Sequence, residues 1–402
     1  MKNYRLDFPF LKRQYQNKDV VYFDNASTAL KPSFVLDAVS DYYQLHNANV
    51  GRGVNFLAEE ATALYEEARS RVASFIGAKS KEIIFTSGST ASLNFVAKSF
   101  AEKNLKTGDV VAISRAEHHA NILPWLQLKE KIGIIVEYID LDENGDFSLT
   151  SLNKIFNNQR LKILSLTQAS NVLGKYYDLK EIIKRANDLG IITVVDASQS
   201  ISHRELAVKD LGVDFLVFSG HKILAPTGIG VLYVKEEIIN NLDIFLSGGG
   251  MINEVKAQSF SLAEIPYRFE AGTPNISGAI GLGAACKYLQ SIGWREINRR
   301  EEELRNYFLE KLALYPELQL LGTNTNRLLL FSFKLTSMHP HDIADLLSDR
   351  GVVVSSGYHC AQPLHDYLKI ESSLRLSLAF YNTKEEIDYF FNSFSEVRKI
   401  FI

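Results

Sequence analysis

Short apolar runs of strand length alternate along the chain with segments whose apolar residues recur at helical spacing. Residues 163–167 and 191–195 are near-continuous apolar runs, and the segment between them, around 179–189, has the helical pattern. Strands that are apolar on both faces and alternate with helices are typical of a parallel sheet covered on both sides. The pattern therefore predicts an α/β fold.

From about residue 290 the pattern changes to helices that alternate with amphipathic strands, at 328–333, 352–354 and 374–378. This change predicts a second, smaller α+β domain. We expect a large domain over residues 20–289 and a small domain built from residues 1–19 and 290–402.

Composition limits the classes of protein that are possible. With 402 residues, 46% hydrophobic and 23% charged, the chain can form two cores, which excludes a disordered protein. A net charge of -3 gives no electrostatic case for binding nucleic acid or an anionic membrane. No apolar run approaches the roughly 18 residues that span a bilayer, and the N-terminus lacks an apolar signal core. Two distant cysteines, Cys286 and Cys360, do not suggest a disulfide scaffold, so we expect a cytoplasmic protein with small-molecule and protein partners.

Short polar segments follow the predicted strands of the large domain. They occupy residues 24–28, 87–90, 118–121, 170–174, 196–199 and 219–222. Ligands of parallel α/β sheets bind off the carboxyl ends of the strands. We therefore expect these six segments to converge on one site.

The segment at residues 219–222 places a lysine beside buried strands, because apolar runs flank a polar bend that ends in Lys222. An ammonium group loses hydration there unless its pKa falls or the lysine becomes a covalent link. An imine to an aldehyde cofactor would resolve that conflict, and Ser219 and His221 could then bind a phosphate group. The alternative is an exposed turn lysine.

Two further segments could complete such a site. Ser89 and Thr90 open a helix after a strand, where an anion is favoured, although a simple helix cap explains them equally well. Asp196 directly follows a buried strand, which is costly unless a cation meets its carboxylate. The alternative for Asp196 is a capping role.

Adjacent histidines, His118 and His119, follow another strand, and a flat imidazole could stack on an aromatic cofactor. Zinc is the weaker interpretation because no further ligand has the required spacing, and backbone hydrogen bonds could satisfy at least one ring. In the small domain, Cys360 lies in a loop beside a histidine, where a thiolate is favoured; the alternative is an unreactive loop cysteine. Arg375 interrupts an apolar strand and suits a carboxylate ligand, unless an internal acid pairs with it.

Eight motifs, taken together and in this order, cover nearly the whole chain. They are Tyr22-Phe-Asp-Asn-Ala, Glu117-His-His-Ala-Asn, Ser170-Asn-Val-Leu-Gly, Asp196-Ala-Ser-Gln, Ser219-Gly-His-Lys, Arg268-Phe-Glu-Ala-Gly-Thr-Pro-Asn, His359-Cys-Ala-Gln-Pro and Arg375-Leu-Ser-Leu-Ala-Phe-Tyr-Asn-Thr. The chain resembles the class V aminotransferase family, and within it the group II, SUF-type cysteine desulfurases. The resemblance implies fold type I of the pyridoxal-phosphate enzymes, with a mostly parallel seven-stranded sheet covered by helices.

The resemblance also implies roles for individual residues. Lys222 would bind pyridoxal 5'-phosphate covalently, and Asp196 would keep its pyridine nitrogen protonated. His118 would stack on the ring and relay protons. The other cofactor contacts would be Gln199, Asn171, Ser89, Thr90, Ser219, His221 and, from the second subunit of a homodimer, Thr273. The substrate would contact Arg375, Asn171 and Ala26, and no metal is implied.

The resemblance further implies that the chain converts L-cysteine to L-alanine and leaves a persulfide on Cys360. A sulfur-acceptor protein of an iron-sulfur assembly system would then take the sulfur. The alternatives are a selenocysteine lyase that uses L-selenocysteine, another class V lyase or aminotransferase, and a non-catalytic scaffold of a sulfur-transfer complex.

Five residues depart from what the family usually has at the same positions. Ser355, near the Cys loop, and Ser87 each replace an arginine, and Gly51, Asn55 and Gln168 each replace a histidine. The loss at Ser355 removes a positive charge close to the predicted nucleophile. His365 is also unusual, and the resemblance assigns it no role.

Overall fold

The computed structural model describes residues 3–51, 53–336 and 338–401. Residues 1, 2, 337 and 402 of the predicted small domain, and residue 52 of the large one, lie outside the described residues. The strands are β1 Gln14–Tyr15, β2 Lys18–Asp19, β3 Val21–Tyr22, β4 Ile83–Thr86, β5 Val110–Ser114, β6 Ile135–Ile139, β7 Leu161–Thr167, β8 Ile192–Asp196, β9 Phe215–Ser219, β10 Gly230–Val234, β11 Ile252–Lys256, β12 Ser259–Leu262, β13 Gln319–Leu320, β14 Leu330–Lys334, β15 Val352–Val353, β16 Ser355–Gly357 and β17 Ser373–Ser377.

Helices connect most of these strands. The α-helices are α1 Ser33–Leu45, α2 Phe56–Phe75, α3 Ser89–Phe95, α4 Glu102–Asn104, α5 Leu123–Ile132, α6 Leu149–Phe156, α7 Lys180–Asp188, α8 Val208–Leu211, α9 Glu236–Ile239, α10 Ile276–Ile292, α11 Trp294–Leu312, α12 Pro340–Ser348, α13 Gln362–Leu368 and α14 Lys384–Arg398. A π-helix over Val96–Ala101 joins α3 to α4, and Gly220–Lys222 is a 3-10 turn. Within the described chain, no helix combines the length and apolar character needed to cross a membrane.

The central sheet has seven strands in the order β4-β10-β9-β8-β7-β5-β6. Neighbours from β9 to β6 are parallel, whereas β10 is antiparallel to both β9 and β4. Six strands therefore share one direction and only β10 runs the other way. The predicted mostly parallel seven-stranded sheet is confirmed.

Successive residues of the central strands pack into two different apolar clusters. Val110 and Ala112 of β5 belong to one cluster, and Val111 and Ile113 belong to the other. Side chains of a strand point alternately to opposite faces, so each cluster covers one face of the sheet. This two-sided burial explains why the strands read as continuous apolar runs.

A second sheet of four antiparallel strands, in the order β13-β14-β17-β16, lies in the C-terminal part of the chain. It packs with α11, α12 and α14 in a third apolar cluster. A capping box begins α14, in which Glu386 N donates to Thr383 Oγ1 (3.3 Å) and Thr383 N donates to the Glu386 carboxylate (2.9 Å). The division at residues 19/20 and 289/290 stays a prediction. Val21 and Phe23 lie in the third cluster, through the parallel pairing of β3 with β15.

Candidate active site

Lys222 ends the 3-10 turn that follows β9, and its side chain is only half-buried by exposed area. The protein atoms packed around it lower the pKa of the ammonium to about 8, because the charged form loses hydration. The nearby Asp196 carboxylate and Cys360 oppose that shift by raising the pKa of Lys222, whereas Arg375 lowers it further. Lys222 therefore lies near residues from β8, β17 and the Cys loop.

The carbonyl of His221 fixes the bend that carries Lys222. It accepts hydrogen bonds from Ala29 N (2.9 Å) and Thr28 Oγ1 (3.3 Å), and the Lys31 ammonium lies 3.5 Å away. Burial, followed by the charges of Lys222 and Lys31, lowers the pKa of His221 to about 4. The His221 ring is thus neutral near pH 7 and can offer one N–H group.

Ser89, which opens α3, faces Ser219 at the end of β9, next to the close approach of Gly88 and Gly230. Ser89 N donates to Ser219 Oγ (2.9 Å), and the two hydroxyl oxygens are also 2.9 Å apart. A Cβ on Gly230 would lie 2.4 Å from Gly88 Cα, so glycine is required for this approach. Ser89 is the first residue of a continuous helical segment that runs from α3 to α4. The first amide groups of this segment have no intrahelical acceptor, and Thr90 is exposed beside them.

His118 is held as a neutral ring. Its Nδ1 accepts a hydrogen bond from Ala120 N (3.1 Å), which leaves the hydrogen on Nε2. Burial, followed by the charges of Lys222, His119 and Arg375, lowers the pKa of His118 to about 3. A neutral ring with one nitrogen already bonded to the backbone has its Nε2–H available, and the stacking role of His118 stays a prediction.

Asp196 ends β8, Gln199 follows it by three residues, and both are buried. Asp196 Oδ1 accepts a hydrogen bond from Ser198 N (2.9 Å). This bond stabilises the local turn, whether or not the carboxylate also pairs with a group outside it. Gln199 Nε2 donates to Ala26 O (2.9 Å), and Ala26 N donates to Ser377 Oγ (2.8 Å). These bonds tie the segment after β3 to the ends of β8 and β17.

Arg375 is buried in the middle of β17, and the structure gives it an internal acid. Its Nη2 donates to Ser27 Oγ (2.7 Å) and lies 3.3 Å from Asp24 Oδ1. Nη1 donates to the carbonyl of Asn171 (3.2 Å). Nε is buried without a hydrogen-bond partner among the described residues. The guanidinium is therefore only partly satisfied, and its Nε–H can still donate to a ligand oxygen.

Cys360 is exposed and lies in a loop with unusual backbone geometry. His359 and Cys360 have φ angles of 50° and 55°, a left-handed conformation that is uncommon outside glycine. Asn171 Nδ2 donates to His359 O (2.6 Å), and His119 N donates to Cys360 O (2.7 Å). The ring of His119 also accepts from Gln362 N (3.0 Å), so the loop is bonded to the large domain on both sides of the thiol.

Sequence reasoning assigned no role to Glu117, although this carboxylate lies only three residues after the end of β5. The carboxylate is fully buried and accepts from Ser114 Oγ (2.5 Å), Thr167 N (2.8 Å) and Asn121 Nδ2 (2.7 Å). Burial raises its pKa to about 7, even though these three donors favour the charged form. Glu117, which immediately precedes His118 in the chain, joins the ends of β5 and β7. The residue types that follow each strand were the signal that could have identified it.

The residues that depart from the family pattern have local structural roles. Ser355 Oγ donates to Asp24 Oδ1 (2.6 Å), which leaves Asp24 bonded to both Ser355 and Arg375. Asn55 caps α2 by accepting from Ala58 N (3.0 Å). Gln168 accepts from Ser200 Oγ (2.6 Å), and Gly51 is exposed with a φ of 100°.

Thr273 lines a different cavity from the one around Lys222. That cavity has a volume of about 920 Å³ and is also lined by Asn49, Gly51 and Asn55. Asn49 Nδ2 donates to Thr273 Oγ1 (3.3 Å). Thr273 was predicted to act on the site of a second subunit, and its placement away from Lys222 within one chain is compatible with that prediction.

The site combines three features: a lysine in the bend after β9, a pair of serines, and a buried arginine with an unused donor. Together with the fold, they define one class of protein. The chain belongs to the class V aminotransferase family, whose model matches residues 21–390, and that family depends on pyridoxal phosphate. More particularly, the relatives that match nearly the full chain include proteins named as cysteine desulfurases. A "Probable cysteine desulfurase" of Xylella fastidiosa is 42% identical over 98% of this chain and 95% of that relative, and one of Synechocystis is 41% identical over 99% and 95%.

Solved structures of the same kind superimpose on the whole chain. An apo cysteine desulfurase of Thermococcus onnurineus has a TM-score of 0.93 and 41% identity, and covers 98% of this chain and 97% of its own. A cysteine desulfurase of Escherichia coli has a TM-score of 0.90 and 36% identity, with coverage of 99% and 98%. The predicted family and enzyme class are confirmed.

Proposed function

We propose that this chain uses pyridoxal 5'-phosphate to take sulfur from L-cysteine, and that it supplies that sulfur for iron-sulfur cluster assembly. The observation that carries the proposal is the grouping of an exposed thiol, a buried arginine with an unpartnered Nε, and a lysine of lowered pKa. A pure scaffold protein would need none of these three groups.

The residues present fit the cofactor. Lys222 would form the covalent link, since its lowered pKa favours the neutral, nucleophilic amine. Ser89, Thr90, Ser219 and His221 would hold the phosphate, with Thr273 of a second subunit. Asp196 would pair with the pyridine nitrogen, His118 would stack on the ring, and Gln199 and Asn171 would contact its edge. When bound, the cofactor withdraws electrons from the α-carbon of the amino acid.

The substrate carboxylate would bind Arg375, whose free Nε and two terminal nitrogens form a fork. Asn171 and Ala26 would complete that contact. Because Asp24 already accepts from Ser27 and Ser355, it can release Arg375 without losing all of its hydrogen bonds. This exchange would bring the substrate next to Lys222.

The chemical steps then fall to three side chains. Lys222 would take the α-proton as its amine, and His118 would move protons through Nε2. The Cys360 thiolate would attack the sulfur of the substrate and break its carbon–sulfur bond. The electron pair of that bond would stay with the β-carbon of the substrate, which would gain the proton lost by the Cys360 thiol, and the α-carbon would regain the proton that Lys222 removed. The products then balance as L-alanine and a persulfide on Cys360.

The proposal includes two protein partners. A second copy of this chain would form a homodimer, and a sulfur-acceptor protein would take the outer sulfur from the exposed Cys360. We expect this to occur in the cytoplasm.

The test is to add L-cysteine to cofactor-loaded protein, with and without a reductant, and to measure alanine and sulfide. With the reductant, which releases the persulfide sulfur as sulfide, we expect equal amounts of both from the wild type. Without it, alanine should form while the sulfur stays on Cys360. Cys360→Ala should lose both products and keep its cofactor absorbance. Cys286→Ala is the matched control, because Cys286 is buried in α10 and is the only other cysteine of the chain. A cofactor absorbance change on adding L-cysteine, with no sulfide, would refute the desulfurase and leave another class V reaction.

A further inference from the structure

His365 connects the loop of the nucleophile to the strand of the substrate-binding arginine. It is fully buried in α13, five residues after Cys360. Its Nδ1 lies 3.1 Å from Ala361 O and its Nε2 lies 3.0 Å from Ser373 Oγ. Ala361 directly follows Cys360. Ser373 lies two residues before Arg375 in β17 and so faces the same side of that strand.

The two contacts determine where the hydrogens lie. A carbonyl oxygen can only accept, so Nδ1 of His365 must carry a hydrogen to bond Ala361 O. Burial lowers the pKa of His365, so the ring is neutral near pH 7 and Nε2 has a free lone pair. The Ser373 hydroxyl therefore donates to Nε2. Both ring nitrogens are satisfied in a single tautomer.

The loop needs such support because its backbone is strained. The left-handed conformations of His359 and Cys360 persist only where the surroundings enforce them. His359 Nε2 lies 3.1 Å from Ser373 O, so Ser373 anchors both histidines that flank the thiol, one through its carbonyl and one through its hydroxyl. Loss of the His365 bonds would leave the C-terminal side of the loop without a side-chain anchor to β17.

We propose that His365 is a positioning residue that sets the place of the Cys360 thiol relative to Arg375. This inference rests on the proposed desulfurase function, since Cys360 must reach the sulfur of a substrate held by Arg375. His365 does not touch the substrate; it acts through Ala361 and Ser373. A misplacement of about 1 Å between reacting groups can cost about 100-fold in rate.

Three variants separate the two bonds. His365→Asn keeps a donor near the place of Nδ1, His365→Gln keeps a polar group near the place of Nε2, and His365→Leu keeps neither. We expect kcat for sulfide release to fall about 10- to 100-fold in His365→Leu and less in the other two. The apparent affinity for L-cysteine, read from cofactor absorbance, should change much less than kcat.

A second readout does not depend on turnover. The rate at which iodoacetamide alkylates Cys360, measured against pH in the Cys286→Ala background, should change in His365→Leu and in Ser373→Ala. The two substitutions together should cost no more than the larger one alone, because they remove the same bond. Tyr367→Phe is the control, since it removes a bond from the same helix to Leu141 O (2.8 Å) without touching the loop.

Each outcome decides a separate point. The proposal would be overturned if His365→Leu had the kcat and the Cys360 alkylation rate of the wild type. It would also be overturned if His365→Leu changed these two quantities no more than Tyr367→Phe does. If His365→Leu fails to fold, the Asn and Gln variants still test it, because each retains one polar contact. If the wild type releases no sulfide, the desulfurase function fails, while the alkylation rates still judge whether His365 positions the thiol.

Discussion

At the scale of single residues, burial sets the protonation states of the candidate site. His118, His221 and His359 all have lowered pKa values because their charged forms would lose hydration and face Lys222, Lys31 or Arg375. Three neutral rings can each accept one hydrogen bond and donate another. The positive charge of the site is therefore concentrated on Arg375 and, below about pH 8, on Lys222.

The lowered pKa of Lys222 predicts how cofactor capture depends on pH. Only the neutral amine attacks an aldehyde, so the rate at which cofactor-free protein binds pyridoxal phosphate covalently should rise with pH and level off above about pH 8. An ordinary lysine would keep rising towards its usual pKa near 10.5. Stopped-flow absorbance over pH 6.5 to 9.5 measures this rate, and free Nα-acetyl-lysine corrects for the titration of the cofactor itself.

Asp196→Asn is the informative variant for this prediction. The Asp196 carboxylate raises the pKa of Lys222, so its removal should move the midpoint of the rate profile to lower pH. An unchanged midpoint would mean that the two groups do not interact. A wild-type rate that still climbs at pH 9.5 would show that burial does not tune Lys222.

At the scale of elements, the sequence predicted strands and helices well and their directions less well. We could identify β7 and β8 from continuous apolar runs, because a strand that is buried on both faces has apolar residues at nearly every position. The reversed direction of β10 depends on its pairing with both β9 and β4, a contact between distant segments. The π-helix at Val96–Ala101 has no sequence signal that we used. Long-range pairing, rather than local pattern, decides such features.

The candidate site follows the same rule. Lys222, Asp196 and Arg375 could be identified because a charge next to buried strands is costly and so needs a reason. Other contacts join residues more than 240 positions apart in the chain. Arg375 pairs with Asp24, and His119 is hydrogen-bonded to the Cys loop. No local pattern reports those contacts. They required the structure.

A buried ion pair joins two elements and supports the segment that carries Thr273. Arg69 of α2 donates to both carboxylate oxygens of Glu270 (2.7 and 2.9 Å), and Tyr65 OH and Phe85 N also donate to that carboxylate. Arg69→Met would leave the Glu270 carboxylate buried without its cation. We expect the free energy of unfolding to fall by about 3–5 kcal/mol, as measured by urea denaturation of the cofactor-free protein.

Arg71→Met is the matched control on the same helix. Arg71 is partly exposed and pairs with Glu67 one turn away, so its loss should cost at most about 0.5 kcal/mol. A loss below about 1 kcal/mol for Arg69→Met would contradict the prediction, since it would mean that water reaches Glu270 easily.

At the scale of the whole molecule, one chain holds an incomplete set of the predicted cofactor contacts. Lys222, Cys360 and Arg375 act on one another within a single chain, whereas Thr273 lines the separate cavity beside Asn49 and Asn55. If the cavity of one copy faces the Lys222 site of another, each active site draws residues from both chains. The isologous contact of a twofold dimer would then build two equivalent sites.

This arrangement predicts complementation between two inactive variants. Lys222→Ala removes the covalent link, and Thr273→Asp places a negative charge against the cofactor phosphate, so each homodimer should be inactive. In a co-expressed mixture, half of the dimers are mixed, and each mixed dimer has one site with both defects and one intact site. Sulfide release should therefore return to about 25% of the wild-type value per protein.

The control is Lys222→Ala with Cys360→Ala. Because Lys222 and Cys360 act on each other within one chain, both sites of that mixed dimer are damaged, and it should stay inactive. No recovery in the first mixture would refute a site that Lys222 and Thr273 share between two subunits. Recovery in the control would instead refute the placement of Lys222 and Cys360 of one chain in the same site.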